Sequence, residues 1–287
     1  MDCVCPILER STRVDETGFC RDSWSLVRCR ETGFVFLANP PDYLQLESEL
    51  AWEKTSTAES RRRGAEEPIV SHVSSFAKWA KLALFPRRNK MASLTLAVAG
   101  DKNLSGPLNV LDIGCGWGGL MVEIHHRFAQ IGKNVTLHGI EVSQRLAARS
   151  EGKIAPLGGR VIPTNAYDGI LSLGRESIHI VTMSSFLEHE CRPLRLLKRL
   201  HPILTAKGAI VLKVPNFASY NRVLRGKKWC GFRFPDHVNY FTPQTLQRLA
   251  HEAGFTVSRQ TFRDRFPLSD SMYAVLKKNA EPIGGLA

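Results

Sequence analysis

Along the second half of the chain, apolar residues fall in short blocks set apart by polar and glycine-rich turns, and extended spacing alternates with helical spacing. Residues 109–113 (Asn-Val-Leu-Asp-Ile), 135–142 (Val-Thr-Leu-His-Gly-Ile-Glu-Val), 160–163, 178–183 and 209–214 are runs of buried-strand length. Between them the pattern predicts a helix over about 118–131 and one that begins after Ser143 as N-cap. A third helix carries Leu194, Leu196, Leu197 and Leu200 at helical spacing. Thr242-Pro243 predicts another start, with Thr242 as cap and Pro243 at the first position, in a helix through Leu246 and Leu249 to Gly254. Two late strands fit 255–261 and 272–277, and residues 215–241 read as irregular and aromatic. Alternating strand and helix predicts an α/β fold, a parallel sheet with helices on both faces, closed by an antiparallel hairpin. The expected organisation is a cysteine-containing, β-rich region over 1–45, a charged helical connector over 46–104, and the α/β domain over 105–287.

One stretch carries the chemistry. Residues 109–119 read Asn-Val-Leu-Asp-Ile-Gly-Cys-Gly-Trp-Gly-Gly and lead into the helical run from Leu120. A strand, a glycine turn and a helix start make a nucleotide cradle. Glycine allows the sharp bend and close backbone approach, and the free amides at the helix start favour an anionic group. The spacing Gly114-x-Gly116-x-x-Gly119 also fits a dinucleotide site. Asp112 argues against that: a carboxylate two residues before the first glycine repels a pyrophosphate and suits a ligand with a cationic amine. Glu141, 25 positions after Gly116 at the tip of the second strand, is placed to accept two ribose hydroxyl protons.

Leu111-Asp112-Ile113-Gly114-Cys115-Gly116 resembles the first motif of the class I S-adenosylmethionine-dependent methyltransferases, and Gly139-Ile140-Glu141-Val142-Ser143 resembles the second. Leu187-Glu188-His189, the leucine helix, Lys207-Gly208, an apolar strand and Pro215-Asn216 resemble a branch that includes ubiquinone-pathway O-methyltransferases. The resemblance covers about residues 108–258. It implies a Rossmann-like seven-stranded sheet, S-adenosylmethionine as cofactor, and a cofactor site built from Asp112, Gly114, Cys115, Gly116, Glu141, Val142, Asn165, Ala166 and Ser184. It places the segment after the fifth strand in the substrate pocket, which makes Trp229, Arg233 and Tyr240 candidates for acceptor binding. The chain departs from the branch at two positions. His179 stands where many relatives have an acid. Ser185 stands where the quinone enzymes have a glutamate that helps the Glu-His pair bind a metal, so no catalytic metal is expected.

Methyl transfer from a sulfonium is an in-line displacement, so the protein must align the acceptor, exclude water and, for an alcohol or ammonium, take up a proton. His189, just past the fourth strand, and His237, in the aromatic segment, are the candidate bases; either is equally at home as a structural hydrogen-bonding residue. The acceptor is expected to be a small molecule methylated on oxygen or nitrogen, a sugar or cell-envelope precursor being compatible with the branch. The rival readings are a nucleic-acid or protein methyltransferase and a non-catalytic cofactor-binding module.

Composition adds bounds. The chain has 287 residues, is 43% hydrophobic and carries a formal net charge of +12, enough for a sizeable core and a positive surface. The basic clusters (Arg61 to Arg63, Arg87 to Lys90, Arg225 to Lys228) read first as solvated faces, no aromatic-interleaved RNA-binding motif accompanies them, and nucleic acid is not an expected partner. No run approaches the ~20 apolar residues of a membrane helix and the start has no secretory pattern, so a cytoplasmic protein with reduced thiols is expected. Cys3, Cys5, Cys20 and Cys29 resemble a decayed zinc ribbon in which Thr32 occupies the position of the last ligand, and a metal-free β-rich subdomain is expected over bound zinc. Asn39-Pro40-Pro41 resembles the amino-methyltransferase motif, but Asp42 replaces its aromatic residue and residues 184–189 already fill that place in the fold.

Overall fold

In the computed structural model, residues 1–41, 89–100 and 106–279 are described. Most of the expected connector, 46–104, lies outside them. The N-terminal strands β1 (Asp2–Cys5), β2 (Arg10–Arg21), β3 (Trp24–Cys29) and β4 (Val35–Leu37) form an antiparallel sheet in chain order. The helix α1 (Lys90–Ala99) follows, capped by Asn89, whose side chain accepts from the amides of Met91 and Ala92.

From there strand and helix alternate: β5 (Leu108–Ile113), α2 (Gly119–Gln130), β6 (Val135–Ile140), α3 (Gln144–Ile154), β7 (Arg160–Ile162), α4 (Ala166–Leu171), β8 (Ile178–Ser184), α5 (Pro193–Leu200), β9 (Leu204–Pro215), α6 (Tyr220–Arg225), β10 (Asn239–Tyr240), α7 (Pro243–Glu252), β11 (Phe255–Arg259) and β12 (Ser271–Lys278). The seven-stranded sheet has the order β11-β12-β9-β8-β5-β6-β7. Its ladders are parallel from β9 to β7, and β12 runs antiparallel to both its neighbours. This is the expected architecture with its closing hairpin.

Successive side chains of a strand point to opposite faces, and β5 shows the consequence. Leu108 and Val110 join a core with α1, α2 and α3, whereas Leu111 and Ile113 join the core under α4, α5 and α7. Each face of the sheet is thus sealed by helices, and the apolar stripes of α2, α3, α5 and α7 among them follow the expected periodicity. The helix α1 belongs to this domain, since Met91, Leu94 and Val98 pack with Leu108, Val110 and Ile124. His179, the departure in the fourth strand, accepts the Asn109 amide at 3.0 Å through Nδ1, so it ties β8 to the start of β5.

The two sheets are joined through the aromatic segment. The strand β10 pairs antiparallel with β4, Asn239 opposite Phe36 and Tyr240 opposite Val35. Phe217, Trp229, Phe232 and Tyr240 pack with Leu26, Val35 and Leu37 in one apolar cluster. The N-terminal sheet therefore takes its fifth strand from residues far along the chain, which a linear boundary at residue 45 does not convey. Its cysteines are all free thiols, and among the described residues they are not gathered into a metal-sized group. The Cys5 thiol lies 3.8 Å from Thr32 Oγ1, and Cys29 Sγ lies 3.4 Å from Thr12 Oγ1. Burial pushes Cys5 up to about 11, which holds it in the thiol form.

Candidate active site

The strand ends β6, β5, β8 and β9 open onto a cleft of about 510 Å³. It lies on the carboxyl edge of the parallel ladder, where ligands bind in open α/β sheets. Asp112, Gly114, Cys115, Gly116, Glu141, Val142, Asn165, Ala166 and Ser184 all line it, together with His189. Every residue expected at the cofactor site is thus brought to one cavity, although these positions span more than seventy residues of chain.

The glycine turn has a steric reason. Gly114 takes φ +68°, and a Cβ there would fall 2.5 Å from Phe186 Cδ2; Gly116 takes φ +55° with open space above it. Both angles disfavour side chains. The turn therefore brings backbone, rather than side chains, up to the cavity. Gly116 also donates its amide to Glu141 Oε2 at 2.8 Å, and Ser143 donates to Glu141 Oε1 at 3.0 Å. The carboxylate is thereby fixed across the ends of β5 and β6. Asn165 caps α4 by accepting the Asp168 amide at 3.0 Å and donates Nδ2 to Asp168 Oδ2 at 2.9 Å. Its side chain is engaged in that cap while the residue lines the cavity.

Asp112 is 2% exposed and accepts from Thr182 Oγ1 at 2.6 Å. Burial is the main cause that pushes its carboxyl from 3.8 up to about 7, Thr182 opposes the shift, and the Glu141 charge adds to it. Desolvation penalises the ionised form unless a cation arrives to offset it. Among the described residues no ion pair involves Asp112.

At the other end of the cleft, His189 Nδ1 lies 2.8 Å from the Asp236 carbonyl. A carbonyl oxygen only accepts, so Nδ1 carries the proton and Nε2 keeps its lone pair. Burial, followed by the Arg233 charge, pushes this ring down to about 4, so it is neutral throughout the physiological range. His237 stands behind it, 5% exposed, with its ring centroid 4.7 Å from that of His189 and Nδ1 2.8 Å from the Gly231 carbonyl. It does not line the cleft. Trp229, Arg233 and Tyr240 do not line it either. Trp229 donates Nε1 to Asp270 at 2.8 Å, Arg233 pairs with Asp236 at 2.8 Å, and Tyr240 is 1% exposed in β10. Hydrophobic packing against the N-terminal sheet has drawn Trp229 and Tyr240 inward, and the ion pair with Asp236, whose carbonyl holds His189, engages Arg233.

Asn239 carries no sequence signal of its own. Its Nδ2 donates to the carbonyls of Leu187 at 3.1 Å and Glu190 at 2.5 Å. A buried amide thus clamps the turn that contains His189 to β10. Asn239→Ala leaves both carbonyls without this donor, and a loss of about 1–3 kcal/mol is expected. Urea unfolding checks it: a shift of the midpoint within error of wild type would show that the clamp contributes nothing. Lys213, on β9 opposite Ser184, also lines the cleft, and the sequence shows it only as a lysine inside an apolar strand.

Residues 82–260, more than half of the chain, match the family described as Methyltransferase domain, and the chain belongs to that family. Among curated proteins none matches it. Solved structures share the fold. An S-adenosylmethionine-dependent methyltransferase from Clostridium acetobutylicum ATCC 824 is 12% identical over 72% of this chain and 99% of its own, with a TM-score of 0.54. The plantazolicin methyltransferase BamL, solved in complex with a triazolic desmethylPZN analog and SAH, is 16% identical over 80% of this chain and 100% of its own, with a TM-score of 0.53. Among the described residues no helix is long and apolar enough to cross a membrane.

Proposed function

We propose that this methyltransferase binds S-adenosylmethionine along the cleft and methylates an oxygen or nitrogen of a small-molecule acceptor. The observation that carries the proposal is the arrangement of the cleft: Asp112 and Glu141 at one end, and a neutral imidazole with Glu190 and Lys213 at the other. The donor set suits a cationic amino-acid nucleoside. Glu141, held by two backbone amides, faces where ribose hydroxyls would donate. Asp112 has the buried carboxylate that an ammonium would offset. Gly114 lets the Phe186 ring pack against the turn, and Gly116 leaves open space where the methionine portion would lie. The cofactor, when bound, supplies a methyl group on a sulfonium, already a good leaving group.

The chain then has three tasks. The strand ends hold the acceptor in line with the carbon–sulfur bond, which replaces a bimolecular encounter by an oriented one. The wall made by Trp229, Phe232 and Tyr240 keeps water from the His189 side. The acceptor's lone pair forms the new bond to the methyl carbon, the old bonding pair departs with sulfur, and His189 Nε2 takes the acceptor's proton. A volume of about 510 Å³ lies within the span usual for small-molecule sites, which supports a compact acceptor.

His189→Ala is expected to lower labelled-methyl transfer into a cell extract roughly 10²-fold or more and to leave S-adenosylhomocysteine affinity as it was. Because the ring is already neutral well above pH 4, the wild-type rate should show no loss of this base between about pH 8 and pH 6. Full transfer by the variant would remove His189 from the reaction.

A further inference from the structure

The acceptor end of the cleft holds hydrogen-bond donors that the fold does not use. Lys213 sits on β9 in register with Ser184 at the end of β8, and Ser185 follows with its amide donating to the Lys213 carbonyl at 2.9 Å. All three line the cleft. The backbone is bent sharply here: Ser185 takes φ +58°, an angle uncommon for a residue with a side chain. Among the described residues no ion pair or hydrogen bond occupies the Lys213 ammonium, and none occupies the hydroxyl of Ser184 or Ser185. Lys213 and Ser184 are partly buried and Ser185 is exposed. The Lys213 charge acts on the Glu188 carboxyl, but no acceptor is hydrogen-bonded to the ammonium, and an oxyanion in the cleft would supply one.

We propose that Lys213, with Ser184 and Ser185, forms a subsite for an oxyanion, a carboxylate or a phosphate carried by the methyl acceptor itself. The proposal rests on the cofactor reading given above and specifies the acceptor class within it.

Strand order sets the side of the cleft. Glu141 follows β6 and Asp112 lies in β5, while β8 and then β9 continue away from them. A nucleoside held at Glu141 with its amine at Asp112 points its methyl end toward β8. Lys213, one strand further, lies beyond that end, where the acceptor enters.

Of the neighbouring acids, Glu188 is 1% exposed and does not line the cleft; the Lys213 charge opposes the rise that burial gives its carboxyl, without a salt bridge between them. Glu190 does line the cleft; it is 2% exposed, and its Oε1 is engaged by the Tyr167 hydroxyl at 2.9 Å and the Arg192 amide at 2.8 Å. Arg233, whose charge acts on His189, is paired with Asp236. An oxyanion would add a charge-assisted hydrogen bond at Lys213 and up to two from the serines.

The test uses the full chain loaded with S-adenosylhomocysteine. Sodium acetate and sodium phosphate are titrated at fixed pH and ionic strength, with sodium chloride as the balancing salt, and thermal unfolding is followed. Wild type is expected to be stabilised by at least one of the two anions. Acetate alone would indicate a carboxylate acceptor, and phosphate alone a phosphorylated one. In Lys213→Met the anion is expected to bind about tenfold more weakly or worse, Lys213→Arg to retain it, and S-adenosylhomocysteine affinity to be unchanged in both. That affinity also reports that the variants keep a formed cleft. Anion stabilisation that survives Lys213→Met, or none in wild type, would overturn the subsite and leave the cofactor reading standing. A drop in S-adenosylhomocysteine affinity in Lys213→Met would overturn it too, by assigning the lysine to the cofactor's own carboxylate. Failure of the wild type to bind S-adenosylhomocysteine would instead remove the cofactor reading, and the subsite with it.

Discussion

Asp112→Asn is expected to make the ligand-free protein more stable above neutrality while it weakens cofactor binding. The carboxyl has an ordinary value of 3.8 in the unfolded chain and about 7 in the folded one. An acid shifted upward is favoured in its protonated form by folding. That contribution is complete below about pH 4, is lost as the pH rises toward 7, and stays lost above it. At pH 8 the buried charge therefore costs the folded chain on the order of 4 kcal/mol. An amide of the same shape still accepts from Thr182 and removes the charge. A Tm increase of roughly 5 °C or more is expected at pH 8, shrinking toward zero near pH 4. The same change deprives an incoming ammonium of its counter-charge, so S-adenosylhomocysteine should bind roughly 10–100-fold more weakly. Wild-type affinity should rise with pH up to about 7, as the carboxyl gives up its proton. Scanning calorimetry and binding calorimetry on the same two proteins check both halves. Unaltered affinity in the variant would mean that Asp112 does not face the amine.

Glu141→Ala is expected to act on binding more strongly. Glu141 is the carboxylate that Gly116 and Ser143 hold in place, and the ribose would donate to it with both hydroxyls. Two hydrogen bonds to a charged acceptor are lost, and the two amides lose their side-chain partner at the same stroke. A fall in S-adenosylhomocysteine affinity of roughly 100-fold or more is expected. His237→Ala, which alters a ring that does not line the cleft, should spare that affinity and slow turnover through the displaced His189. An unchanged dissociation constant in Glu141→Ala would refute the ribose assignment, whatever the activity.

The order of the elements was legible because it follows from local rules. The strands and helices from residue 108 onward stand where periodicity and caps put them, Ser143 and Thr242 serving as the N-caps of α3 and α7. What was missed is short: the six-residue helices α4 and α6 and the two-residue β10 hold too few residues to show a period. The strand β9 begins at Leu204, ahead of the expected Ala209, because pairing with β8 extends it past Lys207-Gly208. The residues proposed to hold the cofactor were brought to one cavity for a related reason. The turn that approaches a ligand must contain Gly114 and Gly116, and the carboxylates must sit at strand ends, so sequence position already states their place.

The acceptor side was not legible in this way. Trp229, Arg233 and Tyr240 have the composition of a pocket wall, and composition is silent on which face of a wall a side chain takes. Burial against β4, contributed by residues 35–37, decided that for Trp229 and Tyr240, and the ion pair with Asp236 for Arg233. The amino-acid order by itself determined the alternating fold, the glycine cradle and the two acids above it, because strand period, turn chemistry and helix caps are properties of adjacent residues. Only the tertiary structure decided that His189 and Lys213 face the cleft and His237 does not, because the histidines are set by a strand, β10, that pairs with β4 across more than two hundred residues, and Lys213 by β9 pairing with β8 and β12.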